Sequence, residues 1–209
     1  MTKRTVDTVV FDLGGVLIDW DPRHLYRTIF TGPDAEADME RFLARVCTPE
    51  WNAEQDRGRT LAEATAILVE KHPDQAELIE AYYGRWDEML GEPIDGSVRI
   101  AQALKRGGLR LIALSNWSAE TFPRARRRMT FLDEFDGVLI SGAVGLIKPD
   151  PAIFDLVAQR HQIEPSRAIF IDDSPKNVAA AAEAGFDAIA FESPDQLRHE
   201  LVGRGLPVD

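Results

Sequence analysis

One cysteine, Cys47, stands among 209 residues, so no internal disulfide can form, and Cys47 with four scattered histidines offers no zinc-ligand spacing. A reducing cytoplasm is the compartment this predicts. Positive charge is also short: 24 Lys and Arg face 35 Asp and Glu, for a formal net charge of −11. Nucleic acids and anionic membranes recruit proteins through clustered Lys and Arg. Neither is an expected partner, which leaves small-molecule chemistry. No apolar run is long enough to span a bilayer. The basic start Met1-Thr2-Lys3-Arg4 runs into an apolar stretch broken at Asp7 and Asp12, which does not make a signal peptide. Internal repeats and low-complexity segments are missing, against a repeat or linker-rich architecture. What is there, 44% hydrophobic residues, suffices for one α/β domain, or one domain carrying an insertion, with a proper core.

The chain is organised around the stretch from Val9 to Asp19. Thr8 to Phe11 is a short apolar, β-branched run of the kind a buried parallel strand needs, and it delivers Asp12 into a glycine turn. Open α/β sheets bind ligands beyond the carboxyl ends of their strands. Asp12 is therefore a candidate nucleophile or metal ligand, the alternative being an Asp that only caps the turn. Asp21-Pro22 then starts a helix with Leu25, Ile29 and Phe30 on one face. Met39, Phe42, Leu43 and Val46 predict a second helix that stops before Pro49. Thr60-Leu61-Ala62-Glu63 is a capping box opening a third, and Leu78, Ile79, Tyr82, Trp86, Met89 and Leu90 lie along a fourth. Four helices without an intervening strand predict a helical module over residues 20–91, inserted into a core made of 1–19 and 92–209.

From Ser97 onward helices alternate with short apolar runs, the pattern of a parallel sheet with crossovers. Predicted strands cover Leu109 to Leu114, Gly137 to Ser141, Ala168 to Ile171 and Ala188 to Phe191. Their ends are polar. Ser115-Asn116 follows the first, Lys148-Pro149 lies beyond the second, and Asp172-Asp173 closes the third. If the strands are parallel, these groups converge with Asp12 on one sheet edge, giving carboxylates for a hard cation, a hydroxyl and an ammonium. Such a set suits phosphoryl chemistry: Mg²⁺ held by carboxylates bridges to a phosphoryl oxygen, and Asp12 attacks phosphorus. Ser115 and Lys148 then neutralise the remaining oxygens.

Phe11-Asp12-Leu13-Gly14-Gly15-Val16, Leu114-Ser115-Asn116, Lys148-Pro149 and Phe170-Ile171-Asp172-Asp173 resemble the four ordered motifs of the haloacid-dehalogenase-like (HAD) hydrolase superfamily. Singly these motifs are weak; their order and spacing, with a helical insert after the first, make a joint signal over nearly the whole chain. The resemblance implies a Rossmann-like, doubly wound parallel-sheet core with a small helical cap. It implies a Mg²⁺-dependent phosphatase acting on a small phosphate ester. Asp12 is then nucleophile and metal ligand, Ser115 and Asn116 bind phosphate together with Leu13 and Gly14, and Lys148 stabilises charge. Asp173 and the main chain of Gly14 join Asp12 at the metal, with Asp172 as a neighbouring acid of the same set.

At one position the chain departs from that pattern. Most phosphatases of the superfamily carry a second Asp two residues after the nucleophile as general acid and base, and here Gly14 stands there. The Asp-Leu-Gly variant resembles a branch with sugar-1-phosphate phosphatases. A lost acid predicts a steep dependence on leaving-group quality, unless Asp56 or His24 supplies the proton. A 2-haloacid dehalogenase uses the same nucleophile without a metal, but that subgroup lacks the paired acids. A non-catalytic phosphate- or partner-binding protein is the third alternative, motivated by Gly14. Response-regulator receivers use similar groups in a different chain order. Within the insert, Gln55, Asp56 and Arg57 are candidate contacts to substrate hydroxyls if their stretch faces the sheet edge, and Trp51 is expected in the core. Arg126-Arg127-Arg128 reads as a solvated helix face.

Overall fold

A computed structural model describes residues 6–208; the Met1-Thr2-Lys3-Arg4 stretch lies outside the described residues. Five parallel strands form the central sheet: β1 (Thr8–Phe11), β4 (Arg110–Ser115), β5 (Gly137–Ile140), β6 (Ala168–Asp172) and β7 (Asp187–Ala190). Their spatial order is β5-β4-β1-β6-β7. β1 pairs with β4 on one side and β6 on the other, Phe11 lying opposite Ala113 and Ile171. The chain therefore builds outward from β1 in one direction, returns, and builds in the other. That reversal opens a crevice at the carboxyl end of β1.

Both faces of the sheet are covered, which is why its strands are continuous apolar runs. Val9 and Phe11 point into one core with Leu111, Ala113, Ile169 and Ile171. This core is closed by α6 (Asp95–Arg106), α7 (Phe122–Arg128) and α10 (Pro194–Gly203) through Ile100, Leu104, Ala125, Leu197 and Leu201. Val10, Ile112, Leu114 and Phe170 point the other way, onto α8 (Pro151–His161) and α9 (Pro175–Glu183). The expected α/β, Rossmann-like doubly wound architecture is the one observed. Strand bounds differ from the sequence reading by a residue or two.

The segment between β1 and α6 differs from the expected four helices without strands. Ile18–Trp20 forms β2 and Leu90–Pro93 forms β3, an antiparallel pair through which the chain leaves the sheet and comes back. Between them stand five helices: α1 (Pro22–Ile29), α2 (Ala35–Arg45), α3 (Pro49–Asp56), α4 (Leu61–Lys71) and α5 (Ala76–Gly84). The fourth predicted helix ends earlier than its apolar stripe, giving way to a 3₁₀ turn at Trp86–Met89 before β3 begins at Leu90. α3 was not expected. Its start signal is present: the Thr48 hydroxyl accepts a hydrogen bond from the Trp51 N–H at 3.2 Å, and Pro49 occupies the first turn. Trp51 stands edge-on to Tyr82, with ring centroids 5.0 Å apart, in the core of the helical segment.

Arginines fasten this segment to the sheet domain. Arg124 of α7 holds Asp87 with both ends of its guanidinium, at 2.7 and 3.0 Å, and donates to the Tyr83 carbonyl at 3.2 Å. Arg128 donates to the Asp87 carbonyl at 2.8 Å, and Arg126 pairs with Asp133 at 3.1 Å. Two members of the basic run expected to face solvent thus have partners.

Candidate active site

Asp12 follows directly on β1, and its N–H donates to the Ile171 carbonyl of β6 at 2.9 Å, so the ladder carries on to the last residue before the turn. The carboxylate is turned into the crevice and is 8% exposed. Its Oδ1 accepts hydrogen bonds from the Leu13 N–H at 2.6 Å and the Ser115 hydroxyl at 2.8 Å. Its Oδ2 lies 2.9 Å from the Lys148 ammonium. Two of these partners stand at the ends of β1 and β4, and the third, Lys148, reaches in from the loop between β5 and α8. Such fixation holds a nucleophile in one orientation without further ordering.

Lys148 is buried and triply held: it also bonds Asp172 Oδ2 at 2.6 Å and the Leu114 carbonyl at 2.9 Å. Asn116 clamps its main chain, donating to the Lys148 carbonyl at 2.9 Å and accepting from the Lys148 N–H at 2.8 Å. The peptide bond from Lys148 to Pro149 is cis. The Asn116 carboxamide is thus engaged through its oxygen and one of its two N–H groups. Asp172 is fully buried, and its Oδ1 accepts from the Ser174 N–H and the Asn177 amide, both at 2.9 Å. It therefore anchors the lysine.

Charge in this cluster is lopsided, three carboxylates against one ammonium. Burial pushes the Asp12 carboxyl above its ordinary range, and the Lys148 ammonium opposes the shift. Burial pulls Lys148 down, but Asp12 and Asp172 outweigh it and hold the ammonium above its ordinary value. Asp173, on the exposed rim, is raised by partial burial and by Asp172. Ligand oxygens of Asp12, Asp172 and Asp173 lie within 4.8 Å of one another. An all-oxygen donor set of this kind fits a hard divalent cation, with Asp12 and Asp173 the carboxylates open toward the crevice. Room for Asp173 comes from Gly15: its φ is +75°, and a side chain there would run into the Asp173 carboxylate. Gly14 has no such constraint. A Cβ at Gly14 meets nothing within 4 Å.

Above Gly14 the helical segment closes a pocket of about 80 Å³, walled by Trp20, Tyr83, Trp86 and Trp117. Asn52, Asp56, Asn116, Ser118 and Thr121 complete the lining. A wider cleft of about 990 Å³ leads in past Asp21, Arg23, Glu50 and Asn52 to Asp56, Asn116 and Asp173. Of the three predicted contacts from the helical segment, only Asp56 reaches this space. Gln55 is buried, its amide donating to the Trp51 carbonyl at 2.8 Å and the Tyr83 hydroxyl at 2.7 Å. Arg57 is exposed and pairs with Glu54 at 3.0 Å. His24 pairs with Asp19 at 3.0 Å and lines neither space. Nothing in the sequence marks Trp20, Trp86 and Trp117 as site residues; only their return to one crevice by β2, the 3₁₀ turn and the loop after β4 brings them together.

A family model described as haloacid dehalogenase-like hydrolase matches residues 6–185, and the chain belongs to that family. Among curated relatives, the fructose-1-phosphate phosphatase YqaB of Escherichia coli is 24% identical over 184 residues, covering 87% of this chain and 94% of that one. Acyl-CoA dehydrogenase family member 10 of Mus musculus is 27% identical over 217 residues, covering 95% of this chain; the chain spans only 19% of that protein's length. Of solved structures, the HAD family enzyme bt-2542 of Bacteroides thetaiotaomicron, an aspartate-to-alanine mutant in complex with magnesium and inorganic phosphate, is 25% identical. It superposes with a TM-score of 0.66, covering 90% of this chain and 95% of that one.

Proposed function

We propose that this hydrolase is a Mg²⁺-dependent phosphatase that cleaves a small phosphate monoester, of which a sugar phosphate is one candidate, through an aspartyl-phosphate on Asp12. The observation that carries the reading is the meeting of Asp12, Ser115, Lys148 and Asp173 at one sheet edge, where Asp12 Oδ2 and the Lys148 ammonium are 2.9 Å apart. Support also comes from relatives: the Escherichia coli protein is a fructose-1-phosphate phosphatase, and the Bacteroides enzyme holds magnesium and phosphate. Residues 20–91 act as the cap, and residues 1–19 and 92–209 as the catalytic core. We place the protein in the cytoplasm, with no nucleic acid or membrane as partner.

Asp12 attacks phosphorus, the bond to the leaving oxygen breaks, and water later displaces the Asp12 carboxylate to release phosphate. Ser115 and the main-chain N–H groups of Leu13, Gly14 and Asn116 hold the phosphoryl oxygens. Lys148 keeps a positive charge beside Asp12 while charge moves from the ester onto the leaving group. Mg²⁺, held by Asp12, Asp173 and the Gly14 carbonyl beside the lysine-bound Asp172, neutralises phosphoryl oxygens when bound.

The test is a panel of phosphate monoesters and 2-haloacids assayed with Mg²⁺ and with chelator. Hydrolysis of phosphate esters that disappears on chelation is the expected result. Halide release unaffected by chelator would replace the reading with a dehalogenase, and binding of phosphate without turnover would replace it with a non-catalytic role.

A further inference from the structure

The position two residues beyond the nucleophile is Gly14, which has no proton to give, yet the pocket over it is not without an acid. Among the described residues lining that pocket, Asp56 is the one carboxylate. It comes from the last turn of α3, on the opposite side of the crevice from β1. A chain of hydrogen bonds leads to it: Arg59 donates to Gln55 at 2.7 Å, Gln55 to the Tyr83 hydroxyl at 2.7 Å, and that hydroxyl to Asn52 at 2.9 Å. The Asn52 amide then lies 3.5 Å from Asp56 Oδ2. Across the crevice the Ser118 main chain lines the same pocket and draws the Asp56 carboxyl down. The side chain is thus held from the α3 side and stands half-buried where the tryptophan-walled pocket meets the wider cleft.

We propose that Asp56 is the general acid and base of this phosphatase, supplied by the cap in place of the acid missing at Gly14. The inference rests on the phosphatase reading above. In the first step Asp12 Oδ attacks phosphorus, the bond from phosphorus to the ester oxygen breaks, and that oxygen takes the Asp56 carboxyl proton. In the second step the Asp56 carboxylate takes a proton from water, the water oxygen bonds to phosphorus, and the bond to Asp12 breaks. Asp56 ends protonated, and Asp12 ends free. Its environment suits both duties: burial and the Asp12 charge push the Asp56 carboxyl up to about 7, opposed by the Ser118 main chain and by Lys148. An acid poised near the working pH gives and takes a proton with little bias. The steep leaving-group dependence expected from Gly14 is then absent from the native enzyme.

The experiment compares the native enzyme and Asp56→Asn, with Mg²⁺, on an aryl phosphate with an acidic leaving group and an alkyl phosphate with a basic one. For the alkyl ester, kcat/KM should fall by ~10²–10⁴-fold; for the aryl ester it should change little, since that oxygen departs without a proton. Water activation still fails, so aryl phosphate should give a burst of one leaving group per enzyme, followed by slow turnover. The phosphoenzyme should accumulate in the quenched protein. Gly14→Asp in the Asp56→Asn background should recover the alkyl ester selectively, because space above Gly14 admits the side chain. Equal loss on both esters, no loss on either, or no phosphoenzyme accumulation would overturn the proposal. A native enzyme that hydrolyses neither ester would overturn the phosphatase reading and this proposal with it.

Discussion

At the scale of single residues, the site is a buried ion network whose members have separable duties. Asp12→Asn retains the Leu13 and Ser115 contacts but removes the proposed nucleophile, so turnover should fall by ~10³-fold or more while the melting temperature shifts little. Lys148 is different, because it is the one ammonium between Asp12 and Asp172. Removing one partner of a buried ion network leaves uncompensated charge, so Lys148→Ala should destabilise by ~3–5 kcal/mol at neutral pH as well as slow turnover. Denaturant titration checks the first effect and single-turnover kinetics the second. Asp56 runs the other way. Its carboxyl rises from an ordinary 3.8 to about 7 on folding, so the folded chain keeps a proton that the unfolded chain releases over that interval. Stability therefore falls as pH rises through the interval, and above it the buried charge is a standing cost. Asp56→Asn should raise the melting temperature at about pH 8 and leave it nearly unchanged at about pH 4. Asp12, Ser115, Lys148 and the Asp172-Asp173 pair were legible in the sequence because strand ends announce themselves. The engagement of Asn116 with Lys148, and of Gln55 with Tyr83, was not, since both depend on which way a side chain turns.

At the scale of elements, the parallel strands were legible because burial on both faces makes them continuous apolar runs. β2 and β3 were not: Ile18–Trp20 and Leu90–Pro93 are three and four residues long and carry Asp19 and Glu92 on their exposed sides. α3 escaped for a related reason. Its inner face borders a polar crevice, so Trp51 is its single large apolar residue and helical periodicity has nothing to mark. The capping pair Thr48-Pro49 was the available signal, and helical spacing from it places Asn52 and Asp56 on one face. α7 helps seat the helical segment on the sheet domain. Arg124 grips Asp87, and its guanidinium lies 5.5 Å from the Trp86 ring that walls the pocket. Arg124 is 26% and Asp87 53% exposed, and an ion pair open to water to that extent contributes ~1 kcal/mol or less to stability. Arg124→Ala should therefore barely alter the melting temperature, yet lower kcat/KM by about fivefold through a looser cap. Acid should mimic it: the Arg124 hydrogen bond holds the Asp87 carboxyl below its ordinary range, so the grip is present above that range and is lost as pH falls through it.

At the scale of the whole molecule, the proposed function asks a chain of net charge −11 to take an anionic ester, which requires positive charge concentrated at one point. Lys148 already serves two carboxylates, and the three acids within 4.8 Å need a cation to share a site with phosphate. Mg²⁺ should therefore raise the melting temperature, by ~2.7 kcal/mol of stability at a hundredfold excess over its dissociation constant, and Asp173→Asn should abolish that rise. No described helix is long and apolar enough to cross a membrane. On the proposed reading Asp12 itself carries the phosphoryl group between ester and water. Its most direct test is to mix enzyme, Mg²⁺ and ester, quench in acid within the first turnover, reduce the acyl phosphate with tritiated borohydride, which expels phosphate and leaves the label on the side-chain carbon, and map the labelled peptide. The account predicts modification at Asp12, absent from Asp12→Asn and absent after chelation. Turnover with Asp12 unmodified, or with the label on another residue, would contradict it.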